Sequence, residues 1–432
     1  MTRDVSAHLK DWWPLLWLDS EAEGKAIAAA RPISVNELVA LVNFASSNGV
    51  ALYTRGGGSS VTGASIPAGG VVVDMSGMNQ ILDLDEANRT ATIQAGVTLK
   101  DAEAKLNATG FTISQFPQSL ELATVGGYVS TMGTGQYSTR YGGVEDSVLR
   151  LQVVLPTGEV VWTRKRGAPR SSMGPDLAKL FLGAEGSFGI ISAAELKIRK
   201  LPKHVWKAAY SFSSFENAVN ASKALMDLDI RPAVCRAYNE VESVFQFGEQ
   251  SCILLLVYHF NSEALFKAVR EEVSAMLEQV STVANPELVE RWLEKRFNFK
   301  EEIETVRKMG YTLDTIEMGV KWTRLYGLYV DVVESLEKLK GVSGVGAHVS
   351  HLYDQGACIY FTVIFEPNKE VYWKIWEALA KVTGTHDATL SHHHGVGILK
   401  RAYAKDEVQT KLLEKIKQAT DPKNILGPNR LP

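Results

Sequence analysis

The sequence predicts an α+β protein built in two blocks. Three observations predict it. Up to about Pro202, short strand-like runs alternate with loops rich in glycine, serine and threonine. Beyond it, the apolar runs AAYSF, SCILLLVYHF and ACIYFTVIF alternate with longer amphipathic helical stretches, as expected for helices on an antiparallel sheet. The chain has 432 residues, and single cores stop growing near roughly 250–300 residues, so more than one core is expected. The expected organisation is a first domain over 1–202, a second over 203–385, and a C-terminal segment, 386–432, that returns to the first.

In the first block, 32–50 reads as a helix in which Leu38, Val39, Val42 and Ala45 share a face and Gly49 stands at the C-cap position. Residues 51–53 form a short strand running into RGGGSSVTGAS, and 71–75 form the next, with a turn at Ser76 and Gly77. A strand over 91–95 ends at Gly96, and a helix over 98–109 stops at Gly110. Residues 120–145 have few bulky apolar side chains and read as a long functional loop, because strands flank them. A strand over 148–155, a helix over 176–182, then GAEGSFGII and LKIRKLP close the block. In the second block the helical stretches are 216–227, 263–279, 286–308 and 367–382; a last helix, 405–418, precedes DPKNILGPNRLP.

Composition narrows the function. Hydrophobic residues make up 45% and charged residues 22%, which excludes long disorder. A net charge of −3 leaves no global basic field for nucleic acid or an anionic membrane. The basic run RKRGAPR (164–170) reads as a solvated loop. Cys235, Cys252 and Cys358 are far apart and show no CxxC spacing, so neither a disulfide framework nor a cysteine zinc site is expected, and a cytoplasmic setting fits. There is no signal-peptide pattern, and no apolar run reaches the ~20 residues that span a bilayer. The cluster Trp12, Trp13, Pro14, Leu15, Leu16, Trp17 and Leu18 either packs on the protein's own body or rests on a membrane surface as a peripheral contact.

Three small-residue loops carry the binding signal. The first is Arg55, Gly56, Gly57, Gly58, Ser59 and Ser60, then Gly63, directly after a strand. Successive glycines let a backbone approach a ligand and turn N–H groups towards an anion, which suits a pyrophosphate; a flexible turn explains the loop alone equally well. It is neither a P-loop nor the Rossmann fingerprint. The second loop is ATVGG (123–127) with Ser130 and Thr131, and the third is GAEGSFGII (183–191). Three such loops in one domain point to a long ligand threaded between backbone segments, such as a dinucleotide.

Proton-transfer candidates come from SHHHGVG (391–397). Consecutive histidines cannot all face one way, and imidazole suits proton transfer near neutrality, metal ligation or a polar surface. No carboxylate lies suitably close in sequence, so a metal site is not expected. In ACIYFTVIF, Cys358, Tyr360 and Thr362 share one strand face, and Tyr360 either reaches a pocket or packs in the core. Arg236, in RPAVCRAYNEVESVFQFG, lies just before or within a strand, where an isolated arginine is usually solvated.

RGGGSS, ELATVGGYVSTMGTGQYSTRYGGVED and MGPDLAKLFLGAEGSFGII, in that order and spacing, resemble the FAD-binding domain of the vanillyl-alcohol oxidase and p-cresol methylhydroxylase superfamily. The resemblance implies a two-subdomain, PCMH-type FAD-binding domain followed by an α+β cap with an antiparallel sheet. It implies that Arg55 through Ser60 bind the pyrophosphate, that Ser119, Thr124, Gly126, Gly127 and Ser130 line the flavin, and that Glu185, Gly186 and Ile191 lie near the cofactor's other end. Some relatives link the flavin to a histidine of the first loop; Ser59 and Ser60 stand here, so non-covalent FAD is expected.

SHHHGVG, DQGACIYF, FQFG with its upstream arginine, and DPKNILGPN are further similar to the alkylglycerone-phosphate synthase branch of that superfamily. This likeness implies that His393 and His394 transfer protons, that Tyr360 is the active-site tyrosine, and that Arg236 holds a phosphate or carboxylate. Two departures weigh against the synthase reaction while leaving the flavin site intact. Gln115, in SQFPQS, replaces a family histidine, and the stretch between Arg236 and Tyr360 is shorter. The related FAD-linked glycolate oxidases and D-lactate dehydrogenases carry a GHxGDGNLH metal motif; SHLYDQGACIY stands here, with only His351 surviving, and no metal is expected. The expected function is a FAD-dependent dehydrogenase or oxidase acting on a small hydroxylated anion, a 2-hydroxy acid or a glycerol-phosphate-like molecule. The alternatives are a synthase that forms an ether bond through a flavin adduct without net redox, and an inactive flavin-binding module, against which the four intact polar residues argue. A homodimer is expected, and the electron acceptor is left open.

Overall fold

The computed structural model describes residues 1–167, 169–404, 407–428 and 430. Ala168 of the basic run, Lys405 and Asp406 of the expected last helix, and Asn429, Leu431 and Pro432 of the closing motif lie outside the described residues. The chain divides into two compact units. Unit 1 comprises Met1–Gly133, Gly143–Lys200 and His393–Pro432, and unit 2 comprises Thr134–Gly142 and Leu201–His392. The segment 134–142, expected in the first block, thus belongs to unit 2. Long-range hydrogen bonds hold it there: Tyr141 Oη lies 3.0 Å from His259 Nδ1, and the Leu352 N–H donates to Thr139 Oγ1 at 3.0 Å.

Unit 1 holds β1 (Ala28–Ala30), β2 (Leu52–Arg55), β3 (Val71–Asp74), β4 (Ile81–Asp85), β5 (Thr90–Gln94), β6 (Phe111–Thr112), β7 (Val148–Val154), β8 (Val160–Trp162), β9 (Ile190–Lys197) and β10 (Arg199–Lys200). A parallel sheet orders β1–β3–β2, an antiparallel sheet orders β4–β5–β9–β7–β8, and β6 pairs with β10. Helix Val35–Asn48 starts where Ser34 accepts from the Glu37 N–H and ends at Gly49, which takes φ 65°, as a C-cap glycine does. Its buried face is Leu38, Leu41, Val42 and Ala45; Val39 sits at the margin. The C-terminal segment joins the edge of β2, where the Leu52 N–H donates to the Ile425 carbonyl at 2.7 Å and the Gly427 N–H to the Leu52 carbonyl at 2.8 Å. The tryptophan-rich start packs inside this unit, with Trp13, Leu15 and Leu16 buried. In the basic run, Arg166 pairs with Asp83, and Arg164 lies 3.4 Å from Asp176.

The expected long loop over 120–145 contains three short helices instead, Val125–Ser130, Ser138–Tyr141 and Val144–Ser147. Gly126 and Gly127 have poor helix propensity, which hides the first of them. Packing decides the matter, because a Cβ on Gly126 would lie 2.5 Å from the Cβ of Ala95.

Unit 2 carries β11 (His204–Phe212), β12 (Val234–Tyr238), β13 (Cys252–Phe260), β14 (Thr282–Ala284), β15 (Thr312–Lys321), β16 (Val342–Leu352) and β17 (Gly356–Phe365). They form one antiparallel sheet in the order β14–β11–β13–β12–β16–β17–β15. β15, β16 and the helices Glu240–Phe247 and Trp322–Glu337 were not legible beforehand. The expected helix 286–308 is two, Glu287–Lys295 and Phe299–Lys308. Val234, Tyr238, Leu255, Val257, Leu288, Val289 and Trp292 share a core on one face of this sheet. Among the described residues, no helix is long and apolar enough to cross a membrane.

Candidate active site

In unit 1, β2 delivers Arg55 and the glycine loop. A Cβ on Gly56 would lie 2.1 Å from Thr124 Oγ1, and one on Gly57 would lie 1.6 Å from the Leu122 carbonyl oxygen, so glycine is required for the first two loops to meet. Gly58 takes φ 66°. Among the described residues, the N–H groups of Gly57, Gly58, Ser59 and Ser60 donate to no protein acceptor. Successive backbone donors of this kind form a nest that suits a pyrophosphate, so the loop fits FAD.

The other expected cofactor residues are placed as follows. The Arg55 guanidinium is engaged with the carbonyls of Lys10 (2.7 Å) and His8 (3.4 Å) and with Ser65 Oγ (3.2 Å), tying down the N-terminal segment. Ser60 Oγ accepts from the N–H groups of Thr62 and Ala64, and Gly63, at φ 76°, packs on Trp13. The Ser119 carbonyl accepts from Leu122 and Ala123. Thr124 caps helix Val125–Ser130 by accepting from the Gly127 N–H, and the Gly126 N–H goes to Ala95, so these amides are already satisfied by the chain. Ser130 Oγ donates back to the Gly126 carbonyl. Glu185 (φ 48°) and Gly186 (φ 79°) form a tight left-handed turn, and Ile191 is buried in β9 opposite Val153.

Glu185 also anchors the histidine-run loop. Its carboxylate accepts from the N–H of Val396 (2.7 Å) and of Gly397 (3.0 Å), and burial raises its pKa. His393 and His394 sit on this loop with ring centroids 4.6 Å apart. Gln115, in the family's histidine position, is buried; its Oε1 accepts from Tyr128 Oη at 2.8 Å and its Nε2 donates to the Gly143 carbonyl and Ser147 Oγ, both at 3.3 Å.

In unit 2, register assembles a polar cluster. Glu317 on β15, Tyr360 on β17, His348 on β16 and Tyr238 on β12 are successive cross-strand partners in one row. Arg236, two residues before Tyr238, shares its face. Arg236 Nε donates to Tyr238 Oη at 2.8 Å and Nη2 donates to His348 Nε2 at 2.6 Å. His348 Nδ1 lies 2.7 Å from Glu242 Oε1, and the His348 ring stacks on Tyr360 at 4.5 Å. Tyr360 Oη lies 2.9 Å from His351 Nε2, and His351 Nδ1 lies 2.5 Å from Ser138 Oγ. His351 is the extra residue of a β-bulge between Ser350 and Leu352 and takes φ 51°; bulges re-aim side chains in this way. His392 accepts or donates at Tyr353 Oη (2.8 Å), faces the His351 ring at 5.5 Å, and gives its backbone N–H to Glu317.

The electrostatics follow from burial. Burial, with Cys358 and Glu317 adding and Arg236 opposing, holds the Tyr360 phenol well above its ordinary pKa, so it is a neutral O–H. Burial and then the Arg236 cation lower His348, against Glu242. Burial lowers His259 to about 4, with Arg140 and Arg296 adding. Arg236 and Tyr360, chosen from sequence, are thus brought together, whereas His393 and His394 belong to unit 1. His348, Glu242, Ser138 and Glu317 were missed. The spacing HVSH hinted at His348, but cross-strand partners have no local signature.

Comparison with known proteins gives two family matches: the FAD binding domain over residues 26–164, and the C-terminal domain of FAD linked oxidases over 201–431. An alkyldihydroxyacetonephosphate synthase of Caenorhabditis elegans is 29% identical over 446 residues, covering 92% of this chain and 74% of the relative. An uncharacterized FAD-linked oxidoreductase of Escherichia coli, YgcU, is 28% identical, covering 91% and 86%. The glycolate oxidase subunit GlcD of Bacillus subtilis is 26% identical, covering 94% and 88%. A solved alkyldihydroxyacetonephosphate synthase shares the fold, with a TM-score of 0.79 at 23% identity over 93% of this chain and 76% of that one.

Proposed function

The chain belongs to the FAD-linked oxidase family and is a FAD enzyme, and from that premise we propose that it oxidises a small hydroxylated anion, a 2-hydroxy acid or a glycerol-phosphate-like molecule. The observation that carries this reading is the single sheet face of unit 2 on which a guanidinium, Arg236, stands in the same polar network as the Tyr360–His351 pair. Arg236 binds the carboxylate or phosphate, since guanidinium favours oxyanions. Tyr360 Oη orients the substrate hydroxyl oxygen. As the hydroxyl proton reaches Oη, the phenol proton passes to His351 Nε2, whose orientation Ser138 fixes through Nδ1. FAD, when held by the 57–60 amides, would supply the redox chemistry as the hydride acceptor. Proton and hydride together leave a carbonyl, so the step balances. His393 and His394 are the competing proton acceptors, and substitution separates them: loss at His351→Gln with retention at His393→Gln and His394→Gln supports the Tyr360 route.

In unit 1 the free amides of 57–60 hold the pyrophosphate of FAD, and Ser59 and Ser60 in place of a histidine leave the cofactor non-covalent. A second reading, exchange of an acyl for an alkoxy group on a ketone phosphate without net redox, is favoured by the synthases among the relatives, which align over more than nine-tenths of this chain. Gln115, held by Gly143, Ser147 and Tyr128, weighs against it, because an amide does not titrate. Anaerobic flavin absorbance decides between them. Bleaching by D-lactate, glycolate or a glycerol phosphate supports the oxidoreductase. A spectral change only with acyl-dihydroxyacetone phosphate, reversed by fatty alcohol, overturns it in favour of the synthase.

A further inference from the structure

The guanidinium of Arg236 is not placed by its own strand alone. Its Nε and Nη2 donors are directed at Tyr238 Oη and His348 Nε2, and its Cζ lies 5.3 Å from the Trp292 ring centroid. Arginine has no acceptor, so His348 Nε2 must accept. The other nitrogen, Nδ1, therefore carries the imidazole proton and donates it to Glu242 Oε1. The tautomer is thus dictated by chemistry at both ends of the ring. Glu242 is itself buried, and its second oxygen, Oε2, has no hydrogen-bond partner among the described residues. Room for that carboxylate comes from Gly346, where a Cβ would lie 2.9 Å from Oε2. A buried carboxylate with an idle oxygen needs a reason, and orienting the imidazole provides one.

We propose that Glu242 and His348 are positioning residues: they lock one edge of Arg236 so that Nη1 and the remaining Nη2 hydrogen present a fixed terminal fork to the substrate oxyanion. This rests on the reading that Arg236 binds the anionic group. The dyad touches no substrate. Its effect is that the fork is already oriented before the anion arrives, so less ordering is needed on binding. With the Glu242 carboxylate replaced by an amide, which can turn either its oxygen or its NH2 to the ring, one of the two constraints on the tautomer is lost. A ring protonated on Nε2 would then set donor against donor at Arg236.

The test uses the full FAD-loaded chain, with oxalate and inorganic phosphate as probe anions, measured by calorimetry. Wild type should bind one of them, and Arg236→Met should abolish binding. His348→Phe and Glu242→Gln should each weaken binding on the order of tenfold, the size of one well-aligned charge-assisted contact, while flavin content holds and the melting temperature falls only modestly. If Arg236→Met binds as wild type does, or wild type binds neither probe, the anion-site reading fails and this inference falls with it. If Arg236→Met loses binding but the two dyad variants do not, only the positioning role fails. Should either variant misfold, nitrogen NMR of histidine-labelled wild type decides: His348 protonated on Nδ1 and bare on Nε2 upholds the dyad, and the reverse tautomer overturns it.

Discussion

Replacing Tyr360 by phenylalanine separates chemistry from scaffolding. The phenylalanine ring keeps the stack on His348, whose centroid lies 4.5 Å away with planes tilted by 16°. What disappears is Oη, and with it the 2.9 Å contact to His351 Nε2. His351 keeps the contact of Nδ1 with Ser138 Oγ at 2.5 Å. A buried ring nitrogen loses this hydrogen bond, which costs about 1–3 kcal/mol of stability. The rate effect should be larger. A positioned proton-transfer group contributes roughly 10²–10⁴-fold, or about 3–5 kcal/mol of barrier. The assay is the first-order decay of flavin absorbance under anaerobic conditions with a saturating hydroxylated anion, run beside flavin content and thermal unfolding. Tyr360→Phe should keep its flavin, melt slightly lower and reduce the flavin at least a hundredfold more slowly. His351→Gln should match it, and the double variant should lose little more, because groups acting as one unit are not additive. A Tyr360→Phe enzyme that reduces flavin within about twofold of wild type would refute the proton route.

Other expectations follow from single contacts. Gly57→Ala places a methyl 1.6 Å from the backbone oxygen of Leu122, so the purified protein should lose most of its flavin; Gly384→Ala, where nothing lies within 4 Å, should keep it. Glu185→Ala strips the acceptor from the Val396 and Gly397 amides and should cost about 2–4 kcal/mol, seen as earlier unfolding and faster proteolysis near residue 396, while Glu185→Gln retains an acceptor and loses less. Glu103 is buried and held at about 7 against an ordinary 4.5, chiefly by burial. Its folded form therefore binds a proton that the unfolded chain has released, and stability from this group falls as pH rises from about 4.5 to about 7, by about 3 kcal/mol at most. Chemical denaturation across that range should show a steeper decline for wild type than for Glu103→Gln; equal slopes would refute the assignment.

Local pattern exposed a good part of the fold. The capped helix Val35–Asn48, the strands on either side of the glycine loop, and the apolar runs of β11, β13 and β17 are each carried by signals within a dozen residues. The short helix Val125–Ser130 stayed hidden, because its two glycines oppose helix locally and only the close approach to Ala95 favours it. Segment 134–142 was misplaced for a similar reason: its ties to His259, His351 and Leu352 join residues more than a hundred positions apart.

By itself, the sequence determined the chemistry available: glycines able to bare their amides at 56–58, an arginine and a tyrosine on strand faces, and histidines at 348, 351 and 392–394. The family and its cofactor were legible because a nucleotide needs its small residues at fixed spacing along the chain. Tertiary structure alone decided which polar groups meet. The row Glu317–Tyr360–His348–Tyr238 exists only through the register of four strands, and His351 reaches Tyr360 only because a bulge turns it inward. A one-residue slip would reverse every one of those side chains, and no short stretch of sequence encodes that alignment.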